Sequence, residues 1–452
     1  MPVMGGIGHV AYAYVLALQL FGPTIIGMRV FEFLASLLGL GGVYFLARRW
    51  YGSATALVAL ACAAASSLFA MTNTIRLDAF AFGFVAWLLV LFAVTLDGPR
   101  EIRRHALVGM VAALGLEVHL HTVVVAIAIG SAYLLDAFRN RRMLQPSWGV
   151  PLTGYALGFA AGAVLFVAID VLPAPEAYFR SAALTRLAMV APATEPTLDA
   201  GRLTASFIAP GAIVRKEIAR YRAVLHSQPL YESALWIASL VPLFGLRRHP
   251  RDAVMCAMVL GAFAGGAVVF NGESPIYLSQ IWPVLALPVA PLLTHGLTGR
   301  GMVTWRGPAL LTVLAMAALC ARYAAAVPTS LELVERIKEL QTNDGDAASR
   351  WVRSRVSPEC HVAGDASAYV PHFMRYPRFT STRDAEVRIG SAYFGLENGA
   401  IEYWQQKNPD VVFGVLSPQL DAYVHERAYQ QPSGGVWLTS STPSPGCTVR
   451  RD

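Results

Sequence analysis

MRVFEFLASLLGLGGVYFLA (residues 28–47) and ATALVALACAAASSLFA (residues 54–70) are two long apolar runs, separated by a short segment that contains Arg48 and Arg49. Each run has the length that crosses the hydrocarbon core of a bilayer, which takes about 17 to 25 residues of helix. Arg76-Leu77-Asp78 follows the second run and stands directly before a third. The pattern predicts a hairpin that crosses a membrane twice and leaves Arg76 and Asp78 at its exit.

The composition of the whole chain agrees with this hairpin. Of the 452 residues, 55% are hydrophobic and only 14% are charged, whereas about 25% of the residues in a soluble domain are charged. We therefore predict an all-α polytopic membrane protein with about ten spans. The candidate spans are residues 27–47, 54–70, 79–96, 105–118, 121–138, 150–170, 230–247, 253–270, 276–297 and 308–326.

Basic residues are unevenly distributed between the loops that join these spans. The short loops at residues 71–78, 119–120 and 271–275 carry only Arg76. The loops on the other side carry Arg48, Arg49, Arg100, Arg103, Arg104, Arg139, Arg141, Arg142, Arg247, Arg248, Arg251, Arg300 and Arg306. Short loops rich in Lys and Arg remain cytoplasmic. The net charge of +7 is therefore explained by membrane orientation, and nucleic acid is not expected as a partner.

This orientation divides the chain into three parts. Residues 1–26 are expected to form a juxtamembrane segment, which has no recognisable signal peptide. Residues 27–326 are expected to form a transmembrane domain with an external loop at residues 171–229. Residues 327–452 are expected to form a domain on the extracytoplasmic side of the plasma (inner) membrane.

The tail after Val327 alternates amphipathic segments with segments typical of strands. Helices are predicted at Leu331–Leu340, Ala347–Arg355 and Gly399–Gln406, and strands at His361–Gly364, Val411–Val415 and Val436–Thr439. A small α/β domain results. It contains Cys360 and Cys447, for which a disulfide and two free thiols are equally open, because the sequence does not give the distance between them.

Ionisable side chains at the external ends of the spans are the first candidates for a functional site, because charge in or near a bilayer is costly. Arg76 and Asp78 form either a boundary ion pair, with Asp78 favourable at a helix N-terminus, or one wall of an active site. Glu117, His119 and His121 either line a polar vestibule or bind a divalent metal. On a continuous helix, Glu117 and His121 share a face and His119 points elsewhere.

Further polar residues extend this set. Arg29 either pairs with Glu32 one helical turn away or anchors the span at the interface, and Tyr277 and Gln280 open a late span. Guanidinium groups bind phosphate oxygens bidentately, so the long loop offers either a phosphate site or a solvated face at Arg180, Arg186, Arg215 and Lys216. The sequence has no P-loop and no GxSxG motif, so nucleotide binding is not expected, and a divalent metal is the one cofactor left open.

Several landmarks follow one another along the first 300 or so residues: Phe21-Gly22-Pro23, Arg29, Tyr44–Gly52, Arg76-Leu77-Asp78, Gly115–His121 and Tyr277–Pro283. In this order they resemble glycosyltransferase family 39, which includes protein O-mannosyltransferases and lipid A aminoarabinose transferases. The resemblance implies a helical bundle of the GT-C fold. It also implies transfer of a hexosyl or pentosyl group from a polyprenyl phosphate, dolichyl or undecaprenyl, to a protein, lipid or glycan acceptor outside the membrane.

The candidate residues take expected roles when they are considered together with this resemblance. Substrate contacts are expected at Arg76, Asp78, Glu117, His119, His121, Tyr277 and Gln280, and lipid-phosphate contacts at Arg29, Arg180, Arg186, Arg215 and Lys216. The catalytic aspartate of the family lies in the first external loop, which is expected upstream of Met1 in a longer form of this protein. The catalytic residue is therefore left unassigned here, with Asp78 as the substitute.

Two other classes of protein remain open. Secondary transporters are typically built from repeated halves with broken spans at matching positions, and the sequence shows no such repeat. A non-catalytic scaffold of the cell envelope would instead use the tail to bind a partner.

Overall fold

The protein is described in a computed structural model. The structure describes residues 15–16, 19–21, 25–64, 66, 68–69, 78–142, 147–176, 178–179, 210–227, 250–269, 276–286, 317, 321, 347–364, 375–382, 387, 396, 399–414, 416–440 and 443–450. The chain divides into two compact units, and each is considered by itself. The first contains residues 1–16, 29–178 and 206–326, and the second contains residues 17–28, 179–205 and 327–452.

The first unit is a bundle of apolar helices. Its helices are α1 (Ile25–Tyr51), α2 (Ser53–Ala64), α3 (Asp78–Leu96), α4 (Ile102–Val118), α5 (Val123–Arg142), α6 (Val150–Phe166), α7 (Pro210–Ser227), α8 (Pro250–Val269), α9 (Ile276–Gln280) and α10 (Trp282–Ala286). A 3₁₀ turn, Leu120–Thr122, joins α4 to α5, and a π-helix, Val167–Val171, extends α6.

Within the described part of the chain, five helices are long and apolar enough to cross a membrane: Val30–Tyr51, Asp78–Leu96, Val123–Arg142, Val150–Val171 and Arg251–Val269. The protein is therefore a multi-pass membrane protein. Most of the spans expected from the sequence coincide with these helices or with α2, α4, α9 and α10. The expected spans at 230–247 and 308–326 lie outside the described residues, apart from positions 317 and 321.

Helices α4 and α6 approach each other closely because α6 presents glycines to α4. A Cβ atom at Gly158 would overlap the carbonyl oxygen of Ala106, and one at Gly154 would lie 2.6 Å from the carbonyl oxygen of Ile102. Small residues allow this approach, which is how helices associate in lipid, where apolar burial gives little driving force. The opposite face of α6 exposes apolar side chains, including Leu157 and Val164, as expected of a surface in contact with lipid.

Ion pairs connect the basic ends of the helices. Arg49 after the apolar part of α1 and Arg251 at the start of α8 both contact Asp97, which follows α3. Arg100 lies 3.2 Å from Asp136 near the end of α5. These contacts place the arginine-rich segments at one end of the bundle. Asp78 starts α3, so it lies about 28 Å away at the opposite end, given 1.5 Å per helical residue.

The second unit contains a five-stranded sheet covered by helices. Its elements are α11 (Ala347–Arg355), β1 (Val362–Gly364), β2 (Phe379–Ser381), α12 (Gly399–Lys407), β3 (Val411–Phe413), α13 (Pro418–Glu426), β4 (Gln430–Ser433) and β5 (Val436–Leu438). The strand order is β2-β1-β3-β5-β4. Strand β1 is parallel to both neighbours, whereas β5 is antiparallel to β3 and β4.

This arrangement confirms an α/β fold in the tail. The predicted helices at Ala347–Arg355 and Gly399–Gln406 are present as α11 and α12, and the three predicted strands are present as β1, β3 and β5. The predicted helix Leu331–Leu340 lies outside the described residues. Cys360 and Cys447 form a disulfide with 4.4 Å between their Cα atoms, which resolves the alternative that the sequence left open.

Candidate functional site

Asp78 is a buried carboxylate at the first residue of α3, in the bundle end opposite the arginine-rich end. It is 1% exposed, and Gln280 at the end of α9 is fully buried beside it. Nε2 of Gln280 donates a hydrogen bond to Oδ1 of Asp78 over 2.5 Å. The positive end of the α3 dipole favours an anion at this position, and the amide gives the carboxylate a donor away from bulk water.

His119 joins this pair through the chain reversal between α4 and α5. Helix α4 ends at Val118, and His119 is extended, with φ −164° and ψ 132°. Its Nε2 lies 3.3 Å from Nε2 of Gln280. Three residues that are far apart in sequence therefore meet at one point: Asp78, His119 and Gln280.

The reversal also brings His121 against His119. The backbone N–H of His121 donates to Nδ1 of His119 over 3.2 Å, and the ring centroids are 4.6 Å apart. Glu117 and His121 would share a face only on a continuous helix, but the helix stops at Val118 and a 3₁₀ turn follows. The rings of His119 and His121 are neighbours instead.

Glu117 lies at the same bundle end, near an acidic residue that the sequence analysis did not single out. Asp170 belongs to the π-helix that extends α6. Burial raises the pKa of the Tyr178 hydroxyl, and the nearby carboxylates of Asp170 and Glu117 raise it further. In the sequence, the available signal for Asp170 was its position as a lone acidic residue at the end of an apolar run. Its place in a π-helix is a structural signal, because π-helices are frequent at functional sites.

Among the described residues, the side chains of this bundle end do not form a group of three possible metal ligands. Within the described part of the chain, the one group of three ligand atoms within 4.8 Å of one another belongs to Cys360, Asp410 and Cys447 in the second unit. Both sulfurs of that group are already in the disulfide. The Asp410 carboxylate accepts hydrogen bonds from the backbone N–H groups of His361 and Ser444.

Helix α7 carries Arg215 and Lys216, the two of the four phosphate candidates in the long loop that the structure describes. Nζ of Lys216 donates to the carbonyl oxygen of Ala267, near the end of α8, over 2.9 Å, and lies 3.7 Å from the Glu217 carboxylate. Arg215 is exposed. It lines an open groove of about 670 Å³ together with Ile218, Ala219, Arg222, Ala223 and His226.

The contact between Lys216 and Ala267 shows where α7 lies. Helix α8 starts at the arginine-rich end with Arg251 and runs away from it, so Ala267 lies toward the end that holds Asp78. The start of α7 therefore lies toward the end that holds Asp78, and the groove runs from there along the exposed face of α7 to His226. Arg222 and His226 in this groove were not among the expected site residues.

The remaining expected site residues lie outside this description. Arg76, Arg180 and Arg186 are outside the described residues, and for Arg29 and Tyr277 the description is limited to their helical backbone in α1 and α9.

Comparison with known proteins finds a family match over the first part of the chain. Residues 9–168 match the family of dolichyl-phosphate-mannose-protein mannosyltransferases. Over this segment the chain is similar to the family 39 glycosyltransferases. The matched segment contains Asp78, Glu117, His119 and His121, whereas Gln280 and Arg215 lie beyond it.

A solved structure supports the fold over a longer part of the chain. The crystal structure of ArnT from Cupriavidus metallidurans bound to undecaprenyl phosphate is similar, with a TM-score of 0.52 and 13% sequence identity. The similarity covers 94% of this chain and 86% of that chain. The fold is therefore of the GT-C type, as the sequence predicted. Among curated proteins, no sequence match was found.

Proposed function

We propose that this protein is a membrane glycosyltransferase that moves a sugar from a polyprenyl phosphate donor to an acceptor on the extracytoplasmic side. The observation that carries the proposal is the buried contact of Asp78, Gln280 and His119 at the bundle end opposite the arginines. A buried carboxylate in a membrane bundle is costly and marks a functional site by default. The family match over residues 9–168 and the similarity of the fold to that of ArnT support this class of reaction.

Two observations support the extracytoplasmic side for this site. The arginine-rich end of the bundle is expected in the cytoplasm, because Lys and Arg in short loops remain there. The site lies at the other end. The disulfide between Cys360 and Cys447 favours an oxidising compartment for the second unit, since disulfides rarely persist in the cytosol. A location in the plasma (inner) membrane with the tail outside agrees with the distribution of arginines and with the disulfide.

The chemistry requires a base and a set of cations. The oxygen of the acceptor hydroxyl bonds to the anomeric carbon, the bond from that carbon to the phosphate oxygen breaks, and the lipid phosphate leaves with the electron pair. The hydroxyl proton must pass to a base. That catalytic role is left unassigned, with Asp78 as the substitute among the described carboxylates. Sugar contacts are assigned to Glu117, His119, His121, Gln280, Arg76 and Tyr277.

Cations stabilise the phosphate as it leaves. Arg215 in the α7 groove is accessible for this role, and Lys216 lies beside it. Arg29, Arg180 and Arg186 complete the proposed lipid-phosphate set. An apolar side chain, Ile218, is exposed in the same groove, which suits a ligand with a charged head and a hydrocarbon chain.

The class of donor is the most direct test of this proposal. Membranes that contain the protein are incubated with a radiolabelled polyprenyl phosphate sugar, mannosyl or aminoarabinosyl, and in parallel with the corresponding nucleotide sugar. We expect label to leave the lipid-linked donor and to remain on the nucleotide sugar. Transfer from the nucleotide sugar alone contradicts the proposal, and full transfer by Arg76→Ala removes Arg76 from the site.

A further inference from the structure

Helix α7 carries cations on two of its sides and a single acidic residue. Arg215 and Arg222 lie on one side of the helix, because seven residues make almost two full turns at 3.6 residues per turn. Lys216 and Arg220 lie together roughly a third of a turn away. The cations alone therefore do not decide which pair faces the bundle. The acidic residue, Glu217, lies next to the second pair.

The structure turns the second pair inward. Arg220 is fully buried, and the side chains of Lys216 and Glu217 are each 15% exposed. Nη1 of Arg220 donates to both carboxylate oxygens of Glu217, over 2.5 and 2.6 Å, and Nζ of Lys216 lies 3.7 Å from the same carboxylate. Nζ of Lys216 also donates to the carbonyl oxygen of Ala267 on α8. Glu217 therefore holds two cations on the side that faces the bundle.

The first pair is turned outward. Arg215 and Arg222 are exposed, and both line the groove that also contains Ile218. On the inward side, the ring of Tyr221 packs against Phe263 of α8, with 5.8 Å between the ring centroids. A rotation of α7 about its axis would exchange the two pairs of cations. The arrangement of α7 against α8 therefore determines which cations are accessible to a phosphate.

The energetics of buried charge make Glu217 the deciding residue. Replacing a buried ion pair by apolar residues is often neutral for stability, whereas removing one partner leaves a costly uncompensated charge. Without Glu217, burial of Arg220 loses the carboxylate that compensates it, and turning Arg220 toward water becomes favourable. The contribution of the pair is therefore expected in the orientation of α7 more than in its stability.

We propose that Glu217 is a positioning residue that fixes the rotation of α7, so that Arg215 and Arg222 face a lipid phosphate. Glu217 acts through the cations that it holds and does not touch the donor. The outward guanidinium groups supply bidentate donors to phosphate oxygens. This inference rests on the proposed function, because the polyprenyl phosphate donor supplies the phosphate.

Cysteine labelling measures the rotation of α7 without any donor. Ala223 is exposed and Val224 is buried, so Ala223→Cys and Val224→Cys report the two sides of the helix. In the full-length protein in lipid nanodiscs, a charged maleimide should label Val224→Cys at least about tenfold more slowly than Ala223→Cys, after subtraction of the labelling of the unmodified protein. Adding Glu217→Gln should abolish this difference. A difference that persists in Glu217→Gln overturns the inference.

Glu101→Gln is the matched control for this substitution. Glu101 also lies between two cations, at 3.0 Å from Arg103 and 3.3 Å from Arg104, but both of these arginines are exposed at the arginine-rich end. Glu101→Gln should leave the labelling of both cysteine variants unchanged. Equal effects of Glu101→Gln and Glu217→Gln on labelling would also overturn the inference.

Binding of radiolabelled undecaprenyl phosphate tests the consequence for the donor site. Glu217→Gln should raise the Kd at least about fivefold. Glu217→Gln combined with Arg220→Met leaves no buried charge at this contact, so it should restore slow labelling of Val224→Cys and a Kd within about twofold of the unmodified protein. A combined variant that binds more weakly than Glu217→Gln would show that the pair contacts the lipid itself, which overturns a positioning role.

The two measurements separate this inference from the proposed function. Labelling requires neither donor nor sugar transfer. If the labelling differences appear as expected but the unmodified protein neither binds undecaprenyl phosphate nor transfers sugar, the proposed function is refuted and the role of Glu217 in orienting α7 stands.

Discussion

The amide of Gln280 lies 2.5 Å from the carboxylate of Asp78, although the two residues are 202 positions apart in the chain. Asp78 starts a long helix, and Gln280 ends a short one. Their contact brings the segment that matches the family together with a later part of the bundle. It defines the end at which the proposed chemistry takes place.

Replacing Arg215 by Ala is expected to raise the KM for the lipid donor by about tenfold, because a charge-assisted bond to phosphate contributes about 1.5 to 3 kcal/mol and this one is partly exposed. Thermal stability is expected to remain unchanged, since the side chain is exposed. Arg141→Ala is the matched control. Arg141 is also exposed but stacks on Trp148 near the arginine-rich end. Equal effects of the two substitutions would contradict a phosphate role for Arg215.

Gly158→Ala is expected to destabilise the bundle by about 1 to 3 kcal/mol, the usual cost of overpacking. Its Cβ would overlap the carbonyl oxygen of Ala106 on α4. Gly41→Ala in α1 makes the same chemical change where no atom lies within 4 Å, so its melting temperature in nanodiscs should be unchanged or higher. Close packing of α4 and α6 would be disproved by a Gly158→Ala variant as stable as Gly41→Ala.

The disulfide predicts the number of reactive thiols. After denaturation without a reductant, a polyethylene-glycol maleimide should label three of the five cysteines, and all five after reduction. Removing the disulfide by Cys360→Ala with Cys447→Ala is expected to cost the second unit about 2 to 5 kcal/mol, as expected for a long closed loop. Five reactive thiols before reduction would show that the pair is not oxidised and would remove one support for an external tail.

The second unit should become less stable in acid. Burial lowers the pKa of His361, whose Nε2 lies 2.7 Å from the Thr380 hydroxyl. Below about pH 6.5 the unfolded chain binds a proton at this residue that the folded chain does not. The stability that neutral His361 contributes is therefore complete above about pH 6.5 and falls as the pH drops toward the lowered pKa of His361.

Hydrogen exchange of peptides from β1 and β3 in the full-length protein measures this effect. Protection should decrease between pH 7 and pH 5 after correction for the intrinsic rate, and His361→Gln should reduce the decrease. His425→Gln provides the control, because His425 is largely exposed, with 74% of its side chain accessible. An unchanged decrease in His361→Gln would assign the acid sensitivity to other groups.

The sequence predicted the spans well because length and apolarity decide whether a helix crosses a bilayer. It also located the basic end, which the pairs of Arg49 and Arg251 with Asp97 bring together. The edge strand β4 was missed, since its sequence Gln430-Gln431-Pro432-Ser433 has no apolar alternation. Strand β2 and helix α13 were also missed.

At the candidate site, the sequence supplied the residue types but not their contacts. His119 and Gln280 were both named, yet their meeting depends on long-range packing of α9 against α3. The end of α4 at Val118 was a local feature that helical periodicity did not reveal, and it decides which face His119 presents. Asp170 was passed over because it ends an apolar run and has no motif around it.

The most direct measurement of the central claim compares Asp78→Asn with Asp136→Asn. Both remove one carboxylate charge, at opposite ends of the bundle, and Asp136 pairs with Arg100 in a partly exposed ion pair worth about 0 to 1 kcal/mol. Release of label from a radiolabelled polyprenyl phosphate sugar is followed in membranes that contain equal amounts of each protein. We predict that Asp136→Asn retains transfer and that Asp78→Asn loses it by about a hundredfold or more. Equal transfer by both variants would contradict a site at the Asp78 end.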